Sequence, residues 1–215
     1  MDTGIIIKVL PLLLKGSVMT IELTVIALIT GTVLGIFLAL LKLSKNAVFR
    51  IISSLYTWIF RGTPLLLQLF FFYYGLPFIG IELTPFGAAS IGLSLNCGAY
   101  MAEIIRGGIQ SIDKGQFEAA KALGFTYGDT MRKIILPQTF KVIIPPVGNE
   151  FIAMLKDTSL VSTIAMVELM RSAQQIYAST FKPIEVFFTA GVLYLLLTTI
   201  FTGAFGIFEK KLSVY

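Results

Sequence analysis

The sequence contains no histidine, one cysteine and few charges, with Asp, Glu, Lys and Arg together making 13% of its 215 residues. Without imidazole there is no haem ligation by histidine, no thiol-and-imidazole metal cage and no Ser-His or Cys-His nucleophile pair. A lone Cys97 in an apolar stretch excludes an intrachain disulfide. Carboxylates are scattered rather than clustered, which argues against an intramembrane enzyme, and no catalytic or metal-binding residue is assigned. The pattern G-x-x-x-x-G-K-[ST] is missing too, so the chain lacks the usual backbone cradle for a nucleotide.

Apolar residues fill the space. They make up 56% of the chain, and the mean hydropathy is +0.86. Charge at about half the level of soluble domains, with that much apolar surface, excludes an ordinary water-soluble globule. Apolar runs cover about residues 17–41, 55–79, 86–105, 136–155 and 186–208. Each is long enough to cross a bilayer at about 20 residues per crossing. The first is too long for a signal-peptide core and has no small-residue cleavage site after it. The expectation is therefore an all-α polytopic protein, one transmembrane domain over residues 1–215 with about five crossings and no nucleic-acid partner.

Charge selects the orientation. Lys42, Lys45, Arg50, Arg61, Arg106, Lys114, Lys121, Arg132, Lys133, Lys141, Lys210 and Lys211 fall on one side. Lys8, Lys15, Lys156, Arg171 and Lys182 fall on the other. Basic loops remain in the cytoplasm, which puts the N-terminus outside and the C-terminus inside. Residues 163–180 suit a short amphipathic helix on the outer face.

The longest inward loop, about residues 107–135, reads as ordered. Asp113 is placed to cap a helix with Gln116 reaching back, and Gly124 stands where a helix should end. Thr126 and Asp129 then open a second short helix that leads into Ile134 and Pro137. Small Ala119 and Ala120, with larger Phe117 and Leu123, make a docking peg for a groove on another protein. An interfacial helix resting on lipid headgroups has the same composition.

Glu118-Ala119-Ala120, three residues, Gly124, nine residues, Ile134, one residue and Leu136-Pro137 resembles the EAA loop of ATP-binding-cassette importer permeases. Phe60-Arg61-Gly62-Thr63-Pro64-Leu65 with Gln68-Leu69, Ala99 to Ile109, and Lys156-Asp157-Thr158-Ser159-Leu160 are similar to motifs of the polar amino acid permeases, which include histidine, arginine and glutamine permeases. The resemblance implies a bacterial inner (plasma) membrane permease subunit that works by alternating access. A second permease copy, identical or paralogous, would pair with it. Phe117, Glu118, Ala119, Ala120, Leu123 and Gly124 would couple to an ATPase dimer that holds ATP and magnesium, leaving this chain without a cofactor. An extracytoplasmic amino-acid-binding protein would deliver the substrate. The competing reading is a passive channel or ion-coupled carrier, which has no need of an ordered cytoplasmic peg.

Polar side chains at membrane depth face a cavity or a partner. Asn96 and Tyr100 share a face of the third span, and Asn149 and Glu150 sit in the fourth beside Pro145-Pro146, whose missing donors favour a kink. Asp157, Thr158 and Ser159 lie about two turns beyond. These seven form the expected substrate pocket, and carboxylates in it favour arginine, lysine or histidine over neutral amino acids. All but Asn149 have a plainer alternative. Asn96 can bond a neighbouring helix, Tyr100 can pack, Glu150 can pair within the bundle, Asp157 can pair with Lys156, and Thr158 or Ser159 can cap a helix. Arg61 and Glu103 are expected to form a salt bridge near the inner ends of their spans, and Glu22, Cys97 and Glu168 to be packing or outer-face residues.

Overall fold

A computed structural model describes residues 3–213. Met1, Asp2, Val214 and Tyr215, the ends of the expected domain and the two termini assigned to opposite sides, lie outside them. Among the described residues there is no strand, in agreement with the all-α expectation. The elements that cross or line the bundle are α1 (Thr3–Leu43), α2 (Ala47–Gly62), the short α3 (Leu65–Phe70), α4 (Pro85–Gln110), α7 (Leu136–Asp157) and α9 (Pro183–Ser213). Three short helices complete the fold: α5 (Lys114–Ala122), α6 (Tyr127–Thr130) and α8 (Leu169–Thr180).

Helices α1, α4 and α9 are long and apolar enough to cross a membrane. The first is longer than the apolar run alone suggested, because residues 3–16 extend it to pack Val9 and Leu13 against Leu169, Ala173 and Val186 of α8 and α9. The second expected crossing is not continuous. It divides into α2 and an α3 segment running on through a π-turn and a 3-10 turn to Ile79, with a 101° bend between. Pro64 explains the break: it forces Thr63 into extended backbone (φ −117°, ψ 148°) and donates no hydrogen bond of its own. The fourth expected span, α7, passes through Pro145 and Pro146 as one helix of 22 residues.

The centre of the molecule is the seam between α1 and α4. At Gly31 and Gly35, a Cβ would fall 2.7 Å from Cys97 Cβ and 2.5 Å from Met101 Cβ. Four-residue spacing puts both glycines on one face, so the two backbones meet in close contact. Cys97 is fully buried there, as its packing assignment expected. Of the amphipathic segment expected over 163–180, Leu169–Thr180 forms α8, with Leu169, Ser172, Ala173 and Ile176 turned inward, while its first residues finish a 3-10 turn and a connection.

Candidate functional site: a polar cleft and an outward peg

The 101° bend creates the polar site. Gln68, 7% exposed, donates from Nε2 to the carbonyls of Phe60 (2.9 Å) and Thr63 (3.1 Å) and to Thr63 Oγ1 (2.9 Å). Asn96 Nδ2 donates to Gln68 Oε1 (3.1 Å) and to the Phe60 carbonyl (3.0 Å). These bonds tie α2, α3 and α4 together where Pro64 leaves backbone groups without helical partners. The bend opens a cleft of about 490 Å³ bordered by the Arg61–Leu65 turn, Asn96, Tyr100, Glu150, Ala153 and Asp157. Glu150, Ala153 and Asp157 fall at i, i+3 and i+7, one stripe of α7.

Four of the seven expected pocket residues thus meet: Asn96, Tyr100, Glu150 and Asp157. Asn96 is 5% exposed and its amide is spent on the neighbouring elements, its plainer alternative. Neither Glu150 nor Asp157 makes a hydrogen bond, or an ion pair within 4.0 Å, among the described residues, Lys156 included. The other three are placed elsewhere. Asn149, about 100° around α7 from Glu150, borders a separate cleft of about 280 Å³ with Pro145, Thr202 and Glu209. Thr158 is fully buried and donates to the Leu155 carbonyl (2.7 Å), the capping alternative. Ser159 is half-buried in the 3-10 turn that follows α7 and does not border the cleft.

The expected ion pair between Arg61 and Glu103 is present, at the limit of its range. The guanidinium of Arg61 reaches Glu103 at 4.0 Å and also lies 5.2 Å from the centre of the Tyr100 ring in cation–π contact. The tight partners of Glu103 are Lys42 and Arg106, the latter at 2.6 Å. A continuous second span from residue 55 places Arg61 near its inner end; at the far end of a separate α2 it borders the cleft as well. Gln68 lies in the motif over residues 60–69, but nothing in the sequence assigns it this role.

Glu168, expected to be a packing or outer-face residue, has a larger structural role. It is fully buried, accepts from Thr20 (3.2 Å) and Tyr194 (2.8 Å), and caps α8 through the amides of Met170 (2.9 Å) and Arg171 (2.7 Å). It joins α1, α8 and α9. Glu22 is exposed on α1.

The loop between α4 and α7 is built as its caps predicted, except that Gln116 bonds Asp113 through its backbone amide. Asp113 Oδ1 accepts from Gly115 N (2.6 Å) and Thr126 Oγ1 from Asp129 N (3.2 Å). Gly124 has φ +80°, and its amide and that of Phe125 return to the carbonyls of Lys121 and Ala120, closing a Schellman turn. The α5 surface is two-sided. Phe117 packs against Ile109, Ile112 and Ile135, and Ala120 is 1% exposed. Glu118, Ala119 and Gly124 are exposed, as is Leu123, at 76%. Outside the spans, Lys133 (2.8 Å) and Thr126 hold the Asp129 carboxyl below the ordinary carboxylate range.

Comparison with known proteins fits this geometry. Residues 31–214 match the profile described as "Binding-protein-dependent transport system inner membrane component". The arginine transport system permease protein ArtQ of Bacillus subtilis (strain 168) is 43% identical over 214 residues, 99% of this chain and 98% of that protein. The putative glutamine transport system permease protein GlnP of Rickettsia bellii (strain RML369-C) is 42% identical, across 94% of this chain and 93% of its own. A solved structure described as an amino acid ABC transporter with histidines superposes with a TM-score of 0.94 at 40% identity, covering 98% of this chain and 99% of the other.

Proposed function

The chain belongs to the binding-protein-dependent transport system inner membrane components, and we infer from that membership that it is the permease subunit of an ATP-driven amino acid importer. It is a multi-pass membrane protein and a transport component; hydrolysis belongs to a partner ATPase. The observation that carries this reading is the outward side of α5, where an apolar Leu123 stands clear of the bundle beside Ala119 and Glu118 on an ordered turn. Such a surface suits insertion into a groove on another protein. Phe117 and Ala120 serve the same purpose from behind, fastening the peg to Ile109, Ile112 and Ile135.

In this proposal two copies pair, identical or paralogous, and an extracytoplasmic binding protein delivers substrate on the side of α8. The α5 side faces the cytoplasm, with the N-terminus outside. Closure of two ATPases around ATP and magnesium displaces the pegs, and the short path from Gly124 through α6 into α7 carries the displacement to Glu150 and Asp157. ATP shifts the membrane segment only because the ATPases bind it unequally in the inward-open and outward-open arrangements. About five crossings follow if the bent α2–α3 pair and α7 each count as one.

The substrate is a polar amino acid, and we favour a basic one. Two carboxylates, Glu150 and Asp157, border the cleft against one guanidinium, Arg61, which leaves room for one further cation. The α-carboxylate of the same ligand faces Arg61, and Tyr100 flanks the pair.

The test is uptake by liposomes holding this chain with its ATPase and binding protein. Accumulation of arginine, lysine and histidine should require ATP and exceed that of glutamine. Accumulation without ATP or without the ATPase would sink the importer reading, and equal accumulation of glutamine would sink the basic preference alone. Replacing Gly124 with leucine puts a side chain at φ +80°, at a cost of about 1–2 kcal/mol. Hydrolysis should then continue while uptake falls; normal uptake in this variant would count against the docking role.

A further inference from the structure

On the side of α4 where α1 ends, Lys42, Arg50, Arg106 and Gln110 border an open depression of about 780 Å³ together with Leu55 and Trp58. Its charge is unbalanced. Glu103 is the one acid paired with these cations among the described residues, and it is already shared by Lys42, Arg106 and, at 4.0 Å, Arg61. Arg50 contributes charge without an acidic partner within 4.0 Å among the described residues. Its Nη1 donates to the carbonyls of Ser44 (3.1 Å) and Lys45 (2.8 Å), which fixes the guanidinium at the turn between α1 and α2.

Beyond Arg50, the wall formed by α2 is largely apolar. Trp58 lies two turns along α2 on the same stripe as Arg50 and is 72% exposed, with Leu55 beside it at 52%. Indole rings and basic groups side by side mark the level at which a membrane meets water. Acidic lipids gather at basic residues that adjoin a spanning helix. A soluble anion would use the cations and leave the apolar wall idle. A lipid uses both.

We propose that this depression seats an acidic phospholipid, its phosphate accepting hydrogen bonds from Arg50 and Arg106 and one acyl chain lying along Leu55 and Trp58. The seat is distinct from the cleft at Glu150 and Asp157 and stands whichever amino acid is carried.

Native mass spectrometry of the assembled transporter, released from nanodiscs of mixed phosphatidylglycerol and phosphatidylcholine, tests it. Wild type should retain phosphatidylglycerol preferentially. Arg50→Gln should lower that preference about fivefold, the equivalent of about 1 kcal/mol for one basic residue at a lipid surface. Arg50→Lys should keep most of it, and Lys182→Gln should change nothing. Trp58→Ser should lower the amount of both lipids retained while leaving the preference between them, a readout that survives if Arg50→Gln fails to fold. Equal retention of the two lipids by wild type, full selectivity in Arg50→Gln, or undiminished retention in Trp58→Ser would each overturn the proposal. Displacement of the lipid by inorganic phosphate would overturn it too, in favour of a soluble-anion site.

Discussion

Two clusters of charge lie along the same bundle and are treated in opposite ways. Around Glu103, Lys42 and Arg106 close in on the carboxylate, with Arg61 at the margin, and the Glu103 side chain is 15% exposed. Around the cleft, Glu150 and Asp157 border about 490 Å³ of open space without a hydrogen bond or ion pair among the described residues. A carboxylate at membrane depth is expensive wherever it sits. In the first cluster the protein offsets that cost with its own cations, which makes Glu103 part of the fold. In the second it leaves the offset to something that arrives from outside. The unsatisfied cluster is therefore the better place to look for transport, and the satisfied one the better place to look for stability.

This contrast is most exposed at Glu103. Glu103→Ala strands Lys42 and the partly exposed Arg106 without their acid, and breaking a partly buried cluster in this way costs up to about 3 kcal/mol. Thermal denaturation of the purified protein in detergent should show a large drop; a drop no bigger than that of a surface variant would erase the distinction. Glu150→Gln and Asp157→Asn should do the reverse. The melting temperature stays near that of the wild type, while preference for basic over neutral amino acids falls about tenfold, equivalent to about 1.4 kcal/mol. Unchanged preference in both variants would remove the carboxylate argument.

Arg61 belongs partly to each cluster and sharpens the boundary between them. Arg61→Gln loses the contact with Tyr100, worth about 0.5–1 kcal/mol. It also leaves the cleft more negative, so selectivity for cations should rise while stability slips only slightly. Smallest of all is Asp129→Asn. The folded carboxyl is held below its ordinary range, so whatever stability its pairing with Lys133 contributes is present above the unfolded value and lost only as acid pulls the pH through the folded one. Because the pair lies at the surface, melting near neutral pH should not shift measurably.

How much of this could be read from the sequence depends on how local the cause was. Asp113, Thr126 and Gly124 act on backbone groups within a few residues, so the caps and the turn around the peg were legible in advance. Pro64 was also visible, but hydropathy averaged over residues 55–79 hid the break it makes. With the break went the position of Arg61. Asn149 and Glu150 show a second limit: neighbours in sequence are about 100° apart on a helix, and only one of them borders the cleft. Phe117 carries an anchor's chemistry, yet periodicity in a nine-residue helix does not say whether an anchor points to a partner or to its own bundle. Glu168 was out of reach, because Thr20 and Tyr194 approach it only once three distant segments have packed.

The seam at Gly31 and Gly35 constrains how such a machine moves. Two rods whose spines interlock over adjacent turns have no clearance to slide or roll against each other. Together α1 and α4 are a chassis, and any alternation has to be performed by parts bolted on less tightly around them. Tying the two rods covalently should therefore leave the engine running.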